Sequence, residues 1–247
     1  MPLSRKFLTA MLLCLSLPIN ADSLHVVVGI NHAPPYRIIN ETGASGFYVD
    51  IFNEIAARAG WLVSYREAPF RRVLLMVEQN EIDVMLGPLP TAERRDYMDF
   101  SIEAFPPERR IFLYLNERNR IRQYEDLANK RIGVLRGSTY FHTFDEDTTL
   151  NKVEATSYDN LLSMLEYGRI DLVIAPEMVG IYTAQRNRVP VKVAPFFVPG
   201  ETSYIGIALG SPLMAQRDLI QQYLKEIKEE NLYEVLLLKY QGSHAGP

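Results

Sequence analysis

Gly137-Ser138-Thr139 follows the apolar run Arg131 to Leu135, where a strand should give way to a helix. Free backbone N–H groups at such a junction suit a carboxylate. Simple N-capping by Ser138 uses the same geometry, and the two uses are compatible. Arg71 and Arg72 sit early in a predicted helix. A solvated face is the default for such residues, and either would serve an acidic ligand if the face bordered a cleft. Glu177 follows Pro176 as the first residue of another predicted helix, where the helix dipole favours a carboxylate. Asp83 and Asp171 each precede a buried apolar run, which makes them turn or capping residues at strand starts rather than a catalytic pair. His25, His32, His142 and His244 show no metal-ligand spacing, and no His-Glu-x-x-His, Cys pair or Gly-x-x-x-x-Gly-Lys occurs. Asp145-Glu146-Asp147 lacks the rest of a calcium loop and reads as a solvated loop. These residue types and spacings give no metal site and no cofactor motif.

The elements that position these residues are visible through a repeat. Phe70 to Pro88 aligns without a gap on Tyr158 to Pro176. Leu74/Leu162, Met76/Met164, Glu78/Glu166, Ile82/Ile170, Asp83/Asp171 and Pro88/Pro176 are identical. Each copy predicts a helix, through Val73, Leu74 and Val77 or Leu161, Leu162 and Leu165, then a turn and a buried strand. A continuous apolar run is the pattern of a parallel strand covered on both faces, and a Pro stops each one. Two copies predict two α/β lobes. Ligands of open α/β sheets bind beyond the carboxyl ends of the strands, so two facing ends would make a cleft.

Elsewhere, strands are predicted at Leu24 to Ile30, Trp61 to Arg66, Arg110 to Leu115, Arg131 to Leu135, Val191 to Ala194 and Ser203 to Leu209, with Asn31 to Gly46 as a loop. Phe47 to Ala59 has helical spacing and Gly60 closes it. Thr91 is a predicted N-cap. Further helices are expected at Tyr124 to Ala128, at Glu177 to about Arg186, and at Pro212 to Tyr240 in two pieces that break near Asn231. The chain leaves the first lobe around Pro106 to Arg110 and returns around Pro199 to Ser203. Lobe 1 is expected at 22–108 plus 204–247, and lobe 2 at 109–203. Two crossings make a hinge.

Residues 1–21 read as an export signal. Arg5 and Lys6 precede the apolar run Phe7 to Leu17, which is too short to span a bilayer as a helix. Cleavage is expected near Ala21, which places the protein in the periplasm. Cys14 is the single cysteine. It lies within this segment without the small residue that lipidation needs before it, so no disulfide or thiol chemistry is expected afterwards. Losing residues 1–21 moves the formal charge from −4 to −6, which argues against nucleic acid and anionic membranes as partners.

VVVGI, PPY, GFYVDIFNEIAARAGW, IDVMLGPLPTAERRDYMDFS, RIGVLRGST, EYGRIDLVIA and a C-terminal run ending KYQG occur in this order. Together they resemble the bacterial extracellular solute-binding proteins of the polar amino-acid type. The resemblance covers nearly all of the chain after residue 21. It implies a two-lobed periplasmic-binding-protein-like II fold, α/β, each lobe a mostly parallel sheet flanked by helices and joined by two hinge crossings. It also implies a monomeric binding protein, not an enzyme, that delivers an anionic or zwitterionic solute to an inner-membrane ABC permease.

By that resemblance Arg94, in Thr-x-Glu-Arg, grips the ligand's carboxylate through its planar fork. Ser138 and Thr139 join it, Phe70 stands where an aromatic meets the ligand, and Gly87, Leu89 and Tyr36 border the site. Three positions depart from the pattern: Ala33 replaces a stacking aromatic, Leu89 a Ser or Thr, and Pro176 an Asp that holds the ligand's ammonium. The carboxylate side survives and the ammonium side is lost, unless Glu177 replaces it. An ammonium buried without a partner is costly, so the expected ligand carries an anionic group and need not be an amino acid. Two rival readings are a sensory binding protein that reports to a membrane receptor, and a periplasmic dehydratase of the cyclohexadienyl type with Glu177 as general acid.

Overall fold

The computed structural model describes residues 23–241. The export signal, its cleavage near Ala21, Cys14 and His244 lie outside these residues.

The chain opens with β1 (His25–Ile30) and a loop carrying the short hairpin β2 (Ile38–Asn40) and β3 (Gly43–Ser45). The sequence predicts only loop there, because three-residue strands bury too little to leave a period-2 pattern. Helix α1 (Phe47–Ala59) buries Phe47, Val49, Ile51, Phe52 and Ile55, and left-handed Gly60 ends it. β4 (Leu62–Glu67), α2 (Phe70–Glu78), β5 (Val84–Leu86), the single turn α3 (Ala92–Arg95) and β6 (Met98–Phe105) complete the first run. The second run is β7 (Arg110–Tyr114), β8 (Arg131–Leu135), α4 (His142–Glu146), β9 (Asn151–Ala155), α5 (Tyr158–Glu166), β10 (Leu172–Pro176), α6 (Glu177–Arg186) and β11 (Lys192–Val198). Then β12 (Ser203–Ala208) precedes α7 (Arg217–Glu229) and α8 (Leu232–Gln241), with Asn231 at φ 57° between the helices.

The strands form two five-stranded sheets, ordered β4-β1-β5-β12-β6 and β11-β7-β10-β8-β9. Each sheet builds one lobe. Both are mixed. Three strands run parallel, β4-β1-β5 in one lobe and β9-β8-β10 in the other. The outer two strands, β12-β6 and β7-β11, pair antiparallel. The expectation of mostly parallel sheets is met only on the repeat side. β7 enters straight from the first lobe and β12 straight from the second, so neither is delivered by a crossover helix that would make it parallel. α7 and α8 pack on α1, held by Arg58 to Glu230 at 2.6 Å and Lys239 to Asp50 at 2.8 Å.

The two repeat copies fold alike. α2 packs on β1 and β5, and α5 packs on β8 and β10. Asn80 and Gly168, at matching positions after the helices, have φ 54° and 65°, a region that Asn and Gly tolerate best. Asp83 and Asp171 also match. Asp83 accepts from Val27 N at 2.7 Å and Asp171 accepts from Arg131 N at 2.9 Å. Each carboxylate pins its own strand to the neighbouring parallel one.

Residues 106–109 and 199–202 cross between the sheets and touch. A Cβ on Gly200 would lie 1.5 Å from Glu108 O, so only glycine lets the two crossings lie this close.

Candidate functional site

A cavity of about 60 Å³ lies where the lobes meet. It brings together six residues anticipated from the sequence: Phe70, Gly87 and Leu89 with Arg94 from the first lobe, and Ser138 and Thr139 from the second. Ala33 and Pro176, the two other departures from the family pattern, line it as well.

Arg94 is placed by α3. Thr91 caps this turn by accepting from Arg94 N at 3.1 Å, as its sequence position predicts. The guanidinium is 4% exposed. It donates through Nη1 to Leu89 O at 2.6 Å and through Nη2 to Gly137 O at 2.8 Å. One acceptor belongs to each lobe. The guanidinium also lies over the Phe70 ring, 5.6 Å from its centroid, a cation–π arrangement. Burial pushes its pKa down, opposed by Tyr97 and Glu93. The Leu89 side chain cannot hydrogen-bond, and its contribution here is its carbonyl.

Gly87 has φ 86°, and a Cβ there would come within 2.6 Å of Arg37 Nη1. The glycine therefore admits Arg37, which the sequence reading passed over. Arg37 is buried and lines the cavity. Its Nη1 donates to Leu86 O at 2.7 Å and its Nε to Asn31 O at 3.4 Å. The Asn31 Oδ1 is buried without a partner among the described residues.

Arg110, Tyr140 and Tyr158 of the second lobe also went unnoticed and line the cavity. Arg110 opens β7, all five residues of which are buried, and donates through Nη1 to Glu108 O at 2.8 Å. A charged residue heading a wholly apolar run was the available signal. Tyr158 aligns with Phe70 in the repeat, so the first residue of each copy faces the same cavity from its own lobe. The alignment itself was the signal. Tyr140 OH accepts from Leu135 N at 2.8 Å.

Gly137-Ser138-Thr139 does not open a helix, contrary to expectation. Gly137 has φ 78° and Ser138 N donates to Leu135 O at 2.9 Å, which makes a tight turn. The helix α4 starts later, at His142. Tyr140 N is taken instead by the Asp145 carboxylate at 2.9 Å, so the chain stays extended before the helix. Ser138 and Thr139 thus reach the cavity from a turn, without the support of a helix dipole.

Three anticipated residues stand apart from the cavity lining. Tyr36 stacks on Tyr48, with centroids 4.5 Å apart, and hydrogen-bonds Glu108 from behind the cavity. Arg71 is on the cleft rim, paired with Glu93 at 3.7 Å and laid over Gly137. Glu177 is engaged by Arg109, whose Nε donates to Oε2 at 2.8 Å. The first turn of α6 faces the crossing at 106–109, where Arg109 stands, and Glu177 is not among the residues lining the cavity. Glu108, half-buried at the crossing, accepts from Met178 N at the start of α6. Burial pushes its pKa up to about 7. Met178 N, Arg110 and Tyr36 oppose the rise and Glu177 adds to it.

The cavity lining holds three guanidiniums, two phenols and two aliphatic hydroxyls, and no carboxylate or imidazole. These are hydrogen-bond donors contributed by two lobes, a lining whose chemistry suits an anion.

The comparisons with known proteins agree with this architecture. Residues 26–243 match the family model of bacterial extracellular solute-binding proteins, family 3. The histidine-binding periplasmic protein of Escherichia coli K12 is 25% identical over 217 residues, covering 83% of each chain. A putative amino-acid ABC transporter-binding protein of Vibrio harveyi is 21% identical over 216 residues, covering 85% of each. The solved structure of an ancestral arginine-binding protein bound to arginine superposes with a TM-score of 0.74 at 25% identity, covering 87% of this chain and 97% of that one. The chain is a member of the bacterial extracellular solute-binding proteins, family 3.

Proposed function

We propose that this protein captures a small carboxylate-bearing solute between its lobes in the periplasm and delivers it to an inner-membrane ABC importer. The observation that carries the reading is the position of Arg94, whose guanidinium touches a carbonyl of each lobe. A carboxylate accepts such a fork more strongly than a neutral carbonyl does. A ligand there would take over the bridging and join the lobes through its own charge. The names of relatives, among them the ABC transporter-binding protein of Vibrio harveyi, support the transport role.

In this reading the lobes divide at 108/109 and 203/204, and the touching crossings at Glu108 and Gly200 form the hinge. A cavity of about 60 Å³ has room for only a few water molecules. A solute of amino-acid size therefore enters when the lobes part, and its contacts to both shift the population back toward closure.

A thermal-shift panel of amino acids, dicarboxylates, aromatic acids and short peptides tests the reading. A true ligand at 100 times its Kd adds about 2.7 kcal/mol, and Arg94→Ala, in a folded variant, abolishes the shift. A shift of equal size in that variant contradicts the assignment of Arg94.

A further inference from the structure

Three arginines border the cavity, Arg94 and Arg37 from the first lobe and Arg110 from the second. They are 4%, 8% and 7% exposed. None has an ion pair with a carboxylate within 4.0 Å among the described residues, where fourteen such pairs occur elsewhere. Their side-chain hydrogen bonds go only to neutral backbone carbonyls, those of Leu89, Gly137, Leu86, Asn31 and Glu108. A buried charge is normally paired, because burial removes its hydration. The nearby acids act on these arginines only from beyond ion-pair distance. Glu177 pairs with Arg109, and Glu108, though its charge is felt by Arg37 and Arg110, hydrogen-bonds Met178 N and Tyr36 and does not line the cavity. Pro176, which lines the cavity, offers no charge to an ammonium.

One carboxylate would satisfy one guanidinium fork and leave the others without a direct ion pair. We infer that the ligand is a small dianion with two oxyanion groups, at least one of them a carboxylate. One group is bound at Arg94 with Ser138 and Thr139, the second is clamped between Arg37 and Arg110, and no ammonium is required. This inference rests on the reading of the cavity as the solute site. It departs from the cationic amino acids in the names of relatives, whose extra positive charge would here meet three more.

Isothermal titration calorimetry on the protein tests it with glutarate, succinate, 3-phosphonopropionate, glutamate, glutamine, arginine and histidine. The expected result is that a dianion binds best. Glutarate and glutamate differ by the α-ammonium alone, and glutarate should bind at least about tenfold more tightly, which corresponds to 1.4 kcal/mol. Preference for 3-phosphonopropionate over the dicarboxylates would assign the second group as phosphoryl, and the reverse would assign two carboxylates. Arg110→Met should weaken the best dianion on the order of 100-fold. Arg110→Lys keeps the charge and loses the fork, so it should fall between the two; circular dichroism establishes that each variant is folded, and the glutarate–glutamate comparison stands without either. Tighter binding of arginine, histidine or glutamine than of every dianion overturns the inference and leaves the solute-binding reading intact. Absence of binding by every compound overturns both.

Discussion

Charge and burial at single residues decide what this cleft can hold. The clearest case is Glu108, a carboxylate packed into the crossing between lobes with a pKa pushed up to about 7 by burial. Its folded-state value exceeds the unfolded one, so the stability it contributes is complete below about pH 4.5 and is lost as the pH rises through about 7. The loss should reach about 3 kcal/mol by pH 8. Glu108→Gln should therefore flatten the decline in urea-unfolding free energy between pH 5 and pH 8. Parallel declines in the wild type and the variant would contradict it. At this scale the sequence was legible where a residue sits in a motif. Arg94 behind its Thr91 cap, and the Gly87 to Leu89 stretch, were anticipated. Arg37, Arg110 and Glu108 were not, because nothing local marks them. Arg37 is admitted by the positive φ of Gly87, fifty residues away, and the carboxylate of Glu108 meets Met178 N and Tyr36, both distant in the chain. Glu177 was legible as the first residue of a helix after Pro176, but its pairing with Arg109 was not, because the partner lies 68 residues away in the chain.

At the scale of elements, the repeat was readable because helix and strand each left their own period in both copies. Less visible was the matching device in the adjoining strand. A Cβ on Gly29 in β1 would lie 2.1 Å from Ile82 Cδ1 and 2.9 Å from Val73 Cγ1. One on Gly133 in β8 would lie 2.5 Å from Ile170 Cδ1 and 2.9 Å from Leu161 Cδ2. Ile82 pairs with Ile170 and Val73 with Leu161 in the alignment, so each lobe seats its repeat helix over a glycine of the neighbouring strand. Gly133→Ala should destabilise the protein by about 1–3 kcal/mol through overpacking. Adding Ile170→Val, which removes the obstructing methyl, should recover part of that loss in a double-mutant cycle. Strict additivity of the two changes would refute this packing. The short hairpin β2-β3 and the late start of α4 were missed because a few residues carry no periodicity, and because the Asp145 carboxylate holds Tyr140 extended by a side-chain contact that no pattern shows.

For the whole molecule, two sheets joined by two touching crossings make a body whose natural motion is opening about that contact. The lobes meet through apolar and polar groups. One buried apolar cluster holds residues of both, among them Phe70, Leu135 and Tyr158, and the polar contacts include Arg94 to Gly137 O at 2.8 Å and Arg186 to His32 at 2.6 Å. Small-angle scattering should show a smaller radius of gyration when the solute is saturating than when it is absent, and an unchanged radius would reject closure as the binding step. The two-lobed plan was legible because the repeat dictates it, while the mixed strand directions follow from how the chain re-enters each sheet.

The crystal structure of the protein with its tightest-binding solute tests the account most directly. The account predicts the solute between the sheets, one oxyanion group within hydrogen-bond distance of the Arg94 guanidinium and contacts to residues of both lobes. A solute seated on one lobe alone, with Arg94 still donating to Leu89 O and Gly137 O, would contradict it.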